Sequence, residues 1–490
     1  SKFIAPSKLI AVNPIIISED IMKKHFLIAL PCSIVILLIV LEIMSRSAAA
    51  IFNKVMQSQQ MFKGTITVEK LQANIWGEVS FNNLLWKDDH DGTIIDIPEG
   101  NFKVRLFDIL TKNFKSTTIQ ELSLRNANIS LNLDENMNVD FIRHSPDFQE
   151  INQSMKKDSD DWEAKVSRVN KTEEELKEIG EHRRRMQRSK IETGWQNFNV
   201  EGRKIRLKLQ LDNCQIEIFY RDRHYLFRIL KFETNINTAD EMSLNVRTGT
   251  FGGTMIGRGM EMYGKIDFKT DAVPQCDLNI LLKEVDPSSL GFGLNIHDEM
   301  TLRAHFTGPV TRPIGKGTVQ MNELHLPGID FINVEGDIHY EDSMLNFTDV
   351  TADVYEGKLT AYGDYNIDTR YYNIYGHGDK LKTRAALPMK HLHCSVDLEL
   401  AINSKGNAKE TVTSGEFSSG RGRYSFLMFD SLSGKFQTEY QNLNFYDVEI
   451  NMSGYKIATD ALSIVDGKLH LNPITITNED GELVRTYTES

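Results

Sequence analysis

The chain has 490 residues, of which 40% are hydrophobic and 25% are charged, a composition within the range of folded proteins. Its net charge of −12 disfavours a nucleic-acid partner held through phosphate contacts. The four cysteines form no CxxC pair, so the sequence indicates neither a zinc site nor a disulfide scaffold. We expect Cys214, Cys276 and Cys394 to be buried thiols.

The N-terminal part of the chain carries a membrane-insertion pattern. Lys23 and Lys24 precede the apolar run Phe26–Leu41, which comes close to the ~20 residues that span a bilayer. We therefore predict that residues 22–45 form a transmembrane signal anchor, with a cytoplasmic N-terminus because basic residues stay on that side. Residues 1–21 are interpreted as an N-terminal appendage that is not native structure.

A cleaved signal peptide is the alternative to an anchor. The small residues Ala48–Ala50 would suit a cleavage site. The anchor is favoured because the apolar run is longer than the usual signal-peptide core and ends near the charged Glu42 and Arg46. In both interpretations residues 46–490 are exported.

After the anchor, apolar and polar residues alternate, which is typical of half-buried strands. We predict an N-terminal β region at residues 46–149 and an elongated β-groove region at residues 193–490. A weak internal repeat indicates one sheet growing along an axis, because an apolar-x-Gly-x-apolar pattern begins at Phe251 and again at Tyr355. About 22 strands spaced by ~4.8 Å would make a sheet roughly 100 Å long.

Residues 150–192 interrupt the β pattern with a charged amphipathic helical insert. Apolar residues recur there every seven positions, as in a helix or helical hairpin with a narrow apolar seam. The seam consists of Met155, Trp162, Val169 and Leu176. Gly180 is a candidate break in the helix. A basic run supplies candidate contacts to lipid headgroups or a protein partner, or else a solvated face: Arg183, Arg184, Arg185, Arg188 and Lys190.

The stretch KIRLKLQLDNCQIEIFY, Lys204 to Tyr220, has one apolar side and one polar side. Asp212 and Asn213 separate its two alternating runs and tolerate positive φ, so we predict a β-hairpin with a two-residue turn. Its apolar side needs a cover, either a second sheet or a bound ligand. The predicted groove-lining residues, from this stretch and one like it, are Ile205, Leu207, Leu209, Leu211, Ile216, Ile218, Tyr220, Val396, Leu398, Leu400 and Ile402.

Six segments, taken in chain order, carry a family resemblance. They are Phe26–Met44, NIWGEVSFNNLLWKDDHDGTIIDIP (Asn74–Pro98), KVRLFDIL (Lys103–Leu110), IQELSLRNANISL (Ile119–Leu131), FGGTMIGRG (Phe251–Gly259) and INVEGDIHYEDSMLNFTDVTADVYEGKLTAYGDY (Ile332–Tyr365). Together they resemble the AsmA-like family, which includes the TamB-type bridge-like lipid transport proteins. The resemblance covers most of residues 26–370, and the helical insert departs from the simplest family pattern.

The resemblance implies a fold and a location. The fold is mainly β: an N-terminal transmembrane helix, then an elongated, twisted antiparallel β-sheet forming a groove (half-pipe), with an inserted amphipathic helical segment. The location is the bacterial inner membrane, crossed once, with the bulk of the chain in the periplasm. Acyl chains of phospholipid or another envelope lipid would lie in the groove. Stacked β-sandwiches are the alternative architecture.

The sequence contains no pattern that indicates catalysis. There is no GxSxG nucleophile motif, and the glycines of Gly249–Gly259 are not followed by Lys-Ser or Lys-Thr as in a P-loop. His391 and His393 would share one strand face while Cys394 points away, which makes a poor metal site. We therefore expect no enzyme activity, no cofactor and no metal.

Lipid binding or lipid transport in outer-membrane biogenesis is the expected function. The alternative is a scaffold or assembly factor for outer-membrane proteins that conducts no lipid and docks an envelope protein partner through an edge strand or the helical insert. Bound phospholipid would distinguish the first function, and a stoichiometric protein partner the second.

Overall fold

The computed structural model describes much of the predicted exported part of the chain. The described residues are 53, 63–74, 76–111, 117–133, 171–200, 205–220, 223–269, 273–290, 294–326, 329–386, 391–406, 408–440, 442–465 and 468–488. The predicted appendage, the predicted anchor and residues 150–170 of the predicted insert lie outside them. Among the helices of the described residues, none combines the length and the apolar composition that crossing a membrane requires.

Strands dominate the described residues because alternating apolar and polar side chains suit a sheet with two different faces. The first thirteen are β1 (Thr65–Ala73), β2 (Glu78–Lys87), β3 (Thr93–Val104), β4 (Ile119–Arg125), β5 (Asn128–Leu133), β6 (Arg206–Tyr220), β7 (Arg223–Asn237), β8 (Glu241–Thr248), β9 (Thr250–Gly253), β10 (Gly259–Asp267), β11 (Gln275–Val285), β12 (Met300–Pro309) and β13 (Ile314–Leu326). The next fifteen are β14 (Ile329–Glu341), β15 (Met344–Val354), β16 (Gly357–Asn366), β17 (Tyr372–Lys382), β18 (Leu392–His393), β19 (Ser395–Ser404), β20 (Thr411–Ser419), β21 (Gly422–Tyr424), β22 (Leu427–Phe429), β23 (Ser431–Glu439), β24 (Asn442–Met452), β25 (Tyr455–Val465), β26 (Lys468–Leu471), β27 (Ile474–Thr477) and β28 (Leu483–Tyr487).

Helices are few among the described residues. They are α1 (Leu106–Leu110), α2 (Glu173–Val200) and α3 (Thr383–Ala386), with 3-10 turns at Pro287–Leu290 and Ala408–Glu410. Only α2 is longer than two turns, and it belongs to the connection between β5 and β6.

Twenty-five of the described strands form one sheet, and β18, β21 and β22 form a second, small one. The large sheet is an antiparallel meander, except that β6 runs parallel to β4 and β5 across the connection that contains α2. Two strands lie end to end in three places, β4 with β5, β8 with β9 and β26 with β27, so the sheet has 22 rows. At ~4.8 Å per row the sheet extends for roughly 100 Å. The prediction of a mainly β chain with a long antiparallel sheet is confirmed.

The predicted hairpin at Lys204–Tyr220 is wrong. Its described residues form one strand, β6, which passes straight through Asp212 and Asn213 and pairs with β7 on both sides of them. Asn213 does have a positive φ of 53°, but the register shifts there between Leu211 and Cys214. The local signal for a turn therefore encodes a β-bulge.

This bulge keeps the apolar side chains of β6 on one face of the sheet. In a regular strand Leu211 and Cys214, three positions apart, would point to opposite faces, and the extra residue restores the alternation. Asn126, between β4 and β5, has the same positive φ and accepts a hydrogen bond from the Asn213 side chain at 2.7 Å. Strand bulges with a residue of positive φ recur farther along the sheet at Asp349, Lys380 and Asp447.

Helix α2 begins with a capping box and is continuous. The hydroxyl of Thr172 accepts from the backbone N–H of Glu175 at 3.3 Å, and the Glu175 carboxylate accepts from the backbone N–H of Thr172 at 2.7 Å. The helix runs on through Gly180 to Val200, so the predicted break is wrong and the helix ends beyond the predicted insert. Gly180 is needed because a Cβ there would collide with the side chain of Asp368.

Tightly packed side chains are concentrated in the first half of the sheet. One cluster joins β1 to β10 and includes Cys214 and Val246, and a second joins β9 to β14 around Val285. The prediction of buried thiols is confirmed for Cys214 and Cys276, whereas Cys394 is half-buried. Burial raises the pKa of the Cys214 and Cys276 thiols, which keeps them protonated and unreactive.

Candidate functional site

One face of the large sheet carries a continuous row of uncharged, mostly apolar residues. Each member lies directly opposite the next member on the neighbouring strand, so all of them share a face. This apolar row, from β1 to β25, consists of Leu71, Phe81, Gly100, Leu124, Leu211, Phe232, Val246, Met262, Ile280, Ala304, Gly317, Ile338, Phe347, Gly363, Ile374, Ile402, Thr413, Thr438, Leu443 and Ile464.

A similar row lies on each side of it. Towards one end of the strands the members are Val79, Phe102, Leu122, Leu209, Thr234, Leu244, Gly264, Leu278, Phe306, Gly315, Tyr340, Leu345, Tyr365, Tyr372 and Ser404. Towards the other end they are Met260, Leu282, Leu302, Val319, Gly336, Val350, Ala361, Gly376, Leu400, Gly415, Phe436, Phe445 and Leu462. The three rows form an apolar band about 14 Å wide, since residues two apart in a strand are separated by about 7 Å.

Burial of the apolar row changes along the sheet. Near the first strands four of its members are enclosed: Phe81 is 4% exposed, Val246 is 6% exposed, and Leu124 and Leu211 are each 7% exposed. From β10 to β25 every member is only half-buried. A face packed beneath a second sheet would be buried throughout. Within the described residues, therefore, the apolar row is packed at its first strands and half-buried beyond them, which gives the band a packed part and an open part. In the open part single members of the flanking rows stay buried, among them Leu282, Leu345 and Tyr365.

Aromatic rings lie over glycines on the apolar face. Phe417 faces Gly434, and Phe436 faces Gly415, in the pairing of β20 with β23. A Cβ at Gly434 would come within 2.7 Å of Phe417 Cζ, so the ring leans over the position that a larger side chain would fill. In these pairs the aromatic ring fills the space that the glycine leaves, so the surface of the band is even there. They were not predicted, although a glycine at an apolar position of an alternating strand is a signal that could have shown them.

The predicted lining residues whose side chains the structure describes lie on this face, in the packed part and in the open part. Those of β6 lie in the packed part, where Leu211 is buried, and Leu209 and Ile216 pack against the same cluster. Ile205, Leu207 and Ile218 are half-buried beside them, and the side chain of Tyr220 is outside the described set. The residues of β19 lie in the open part and are half-buried: Val396, Leu398, Leu400 and Ile402.

Two of the predicted headgroup contacts are engaged inside the molecule. Arg188 Nη2 of α2 lies 2.8 Å from Asp342 Oδ1 in the turn after β14, and Arg312 Nε donates to the same oxygen at 2.8 Å. Arg184 pairs with Asp368 in the turn after β16, and burial lowers the pKa of its guanidinium, with Arg188 adding a repulsive charge. Helix α2 is thereby fixed along the strand ends, which we call the helix rim.

Two more of the predicted headgroup contacts, Arg183 and Arg185, face solvent. Arg183 is exposed, and Arg185 Nη2 lies 3.8 Å from Glu181 Oε2, one helical turn earlier. The side chain of Lys190 is outside the described set. Contact of these three residues with headgroups or a partner stays a prediction.

The opposite face of the sheet is polar. Tyr362 and Tyr375 stack there with ring centroids 5.2 Å apart, and His377 Nδ1 lies 2.7 Å from Glu399 Oε1. These side chains line a shallow, open depression of about 850 Å³. Across the described residues, no group of three or more His, Cys, Asp and Glu side chains is arranged to hold a metal ion.

Comparison of the chain with protein-family models, curated proteins and solved structures gave no match. The resemblance to the AsmA-like family therefore stays a prediction.

Proposed function

We propose that the chain binds lipid acyl chains along the apolar band and shields them from water while lipid moves between envelope membranes. The observation that carries this proposal is the apolar row, which continues from strand to strand without a charged residue and is half-buried from β10 to β25. A long, solvent-facing apolar strip is costly in a soluble protein unless something covers it.

The hydrophobic effect accounts for the proposed activity without covalent chemistry. A lipid leaving a membrane exposes its chains at a cost of ~0.8 kcal/mol per CH₂ group. A continuous band cancels much of this cost at every position, while the headgroup stays in water. Since neighbouring rows present similar side chains, no single position holds the lipid tightly enough to stop its movement.

The predicted anchor supports the proposed location. Residues 22–45 would hold the chain in the inner membrane of a bacterium with two membranes, and the sheet would extend through the periplasm. Phospholipid or another envelope lipid would be the cargo. A scaffold for outer-membrane proteins is the competing function.

The test places charge in the open part of the band. In the variant Leu398→Glu with Ile402→Glu, both carboxylates would be hydrated because these positions are half-buried, so the sheet should stay folded. Acyl chains would have to displace that water, and we expect bound phospholipid to fall about tenfold or more. Mass spectrometry of the lipid extracted from the purified protein measures this, and circular dichroism reports on folding.

The matched control adds the same charge to the other face of the same strand. Ala401→Glu with Asn403→Glu should leave lipid content unchanged, because these residues alternate with the apolar side chains of β19. A folded Leu398→Glu, Ile402→Glu protein with undiminished lipid would refute the proposal. Wild-type protein that carries no lipid but a stoichiometric protein partner would favour the scaffold.

A further inference from the structure

The small sheet ends in a hairpin whose exposed tip is apolar. β21 and β22 pair with Tyr424 opposite Leu427, so the tip consists of Ser425 and Phe426. Phe426 is 85% exposed, Met428 is 62% exposed, Tyr424 is 56% exposed and Leu427 is 46% exposed. Tight turns favour Gly, Asn, Asp and Pro, so a phenylalanine at this position has no role in forming the turn.

The base of the hairpin is fixed while its tip projects. Phe429 is 6% exposed and lies under Gly422, where an added Cβ would also contact Cys394. The backbone N–H of Ser425 donates to the carbonyl of His391 at 2.9 Å, which ties the turn to the segment leading into β18. The apolar tip is therefore held in place, and its exposure follows from the pairing of β18, β21 and β22.

Positive charge flanks the apolar tip. Arg421 and Arg423 precede it and are both exposed. Arg421 Nε lies 3.6 Å from Asp430 Oδ1, so one carboxylate offsets part of this charge and Arg423 adds to it. The chain as a whole has a net charge of −12, and a cationic, aromatic tip contrasts with that average.

We propose that this hairpin, Gly422–Phe429, inserts its tip into the interfacial region of a bilayer that contains anionic lipid. Aromatic and aliphatic side chains at the tip would enter the boundary between headgroups and acyl chains, where such residues are favoured. The two arginines at the base would face the anionic headgroups. The hairpin projects at the strand ends opposite the helix rim, since it connects the end of β20 to the start of β23. Insertion of this hairpin does not require lipid movement along the apolar band.

A local probe tests the insertion, because other parts of the full chain could attach to vesicles independently. Phe426→Trp is a conservative change at an exposed position, and circular dichroism confirms that the variant is folded. Vesicles of phosphatidylglycerol and phosphatidylcholine with brominated acyl chains quench tryptophan that enters the bilayer. After subtraction of the wild-type signal, we expect the added tryptophan to be quenched and its emission to shift to shorter wavelength.

The matched control is Tyr362→Trp, another exposed aromatic position, on the polar face of the large sheet. We expect no quenching there, and equal quenching at both positions would overturn the proposal.

A further variant tests the role of the two arginines. Adding Arg421→Gln and Arg423→Gln to Phe426→Trp should raise the vesicle concentration for half-maximal quenching roughly thirtyfold, since each arginine adds electrostatic attraction to an anionic surface. An unchanged concentration, or no quenching of Phe426→Trp at all, would exclude an anionic bilayer as the partner of this hairpin.

Discussion

Single glycines on the apolar face determine where aromatic rings lie. Gly434→Ala would place a Cβ 2.7 Å from Phe417 Cζ and 3.3 Å from Val448 Cγ2, so the ring must leave its position. We expect a loss of about 1–3 kcal/mol in local stability, as for other overpacked sites. Hydrogen exchange of the β20 and β23 amides measures this loss directly.

Gly420 provides the control for Gly434. An added Cβ there meets no atom within 4 Å, and its backbone is not in the left-handed region. Gly420→Ala should therefore be neutral or slightly stabilising, because it only restricts the unfolded chain. If the β20 and β23 amides exchanged equally slowly in the two variants, the position of the Phe417 ring would not depend on the absence of a side chain at Gly434.

The same residue pair can form either a hairpin turn or a β-bulge, which limits what the sequence predicts at Asp212 and Asn213. Asp212 and Asn213 have the composition of a hairpin turn, and the positive φ expected of Asn213 is present. The chain nevertheless continues as one strand, because β4, β5 and β7 pair with it on both sides of the bulge. β4 and β5 are distant from β6 in sequence, so local propensity could not separate a turn from a bulge. The apolar face was predictable, because the bulge preserves the same alternation as a turn would.

At the scale of elements, helix α2 is held to the sheet by ion pairs with the turns. Asp342 accepts from both Arg188 and Arg312, and its side chain is about one-third exposed. Asp342→Ala would remove both contacts, and we expect about 1 kcal/mol of lost helix docking, a value reduced by solvent screening. Hydrogen exchange of the α2 amides should accelerate while exchange in β14 and β15 changes little.

Asp240→Ala is the matched control for the helix rim. Asp240 lies in the turn after β7 and pairs with Lys269 at 2.7 Å, away from the described contacts of α2. Its removal should leave α2 exchange unchanged. Faster exchange throughout the sheet in the Asp342→Ala protein would show instead that α2 supports the fold as a whole.

The existence of this helix was predictable, but its position was not. A capping box and dense charge mark its start, and both signals are local. The residues that face the turns recur every four positions, at Gly180, Arg184 and Arg188. Leu176, the predicted seam residue that lies among the described ones, is 8% exposed and precedes Gly180 by four positions, so it shares the docked side of the helix. The apolar seam therefore marks the docked side at the start of α2, whereas from Gly180 onward that side docks through a close glycine contact and through charge, which an apolar pattern does not indicate.

At the scale of the whole molecule, the elongated sheet was predictable because alternation and turn residues repeat along the chain. The difference between a packed part and an open part was not predictable, since the side chains of both parts alternate in the same way. Leu211 and Ile402 both belong to the apolar row, yet only Leu211 is buried. Burial depends on which side chains pack together across many strands, as in the cluster that joins β1 to β10, and the alternation within a single strand does not show this.

A meander in which each row contacts mainly its neighbours should unfold in parts. Val285 is fully buried in the cluster that joins β9 to β14, and Val285→Ala removes two methyl groups there at a cost of about 2 kcal/mol. We expect faster hydrogen exchange in β10 to β13, with little change in β1 to β3 or in β23 to β25, because stability in such arrays is a sum of local terms.

Val484→Ala is the control for this measurement, because Val484 lies on β28 and is 56% exposed. Hydrogen exchange of the sheet amides should then be the same as in the unaltered protein. Uniform acceleration from β1 to β25 in the Val285→Ala protein would show one cooperative unit. That outcome would weaken the case for an open band, because a single unit needs a core shared by distant rows. Local acceleration would agree with a sheet whose later rows are held by their neighbours and leave one apolar face for a ligand.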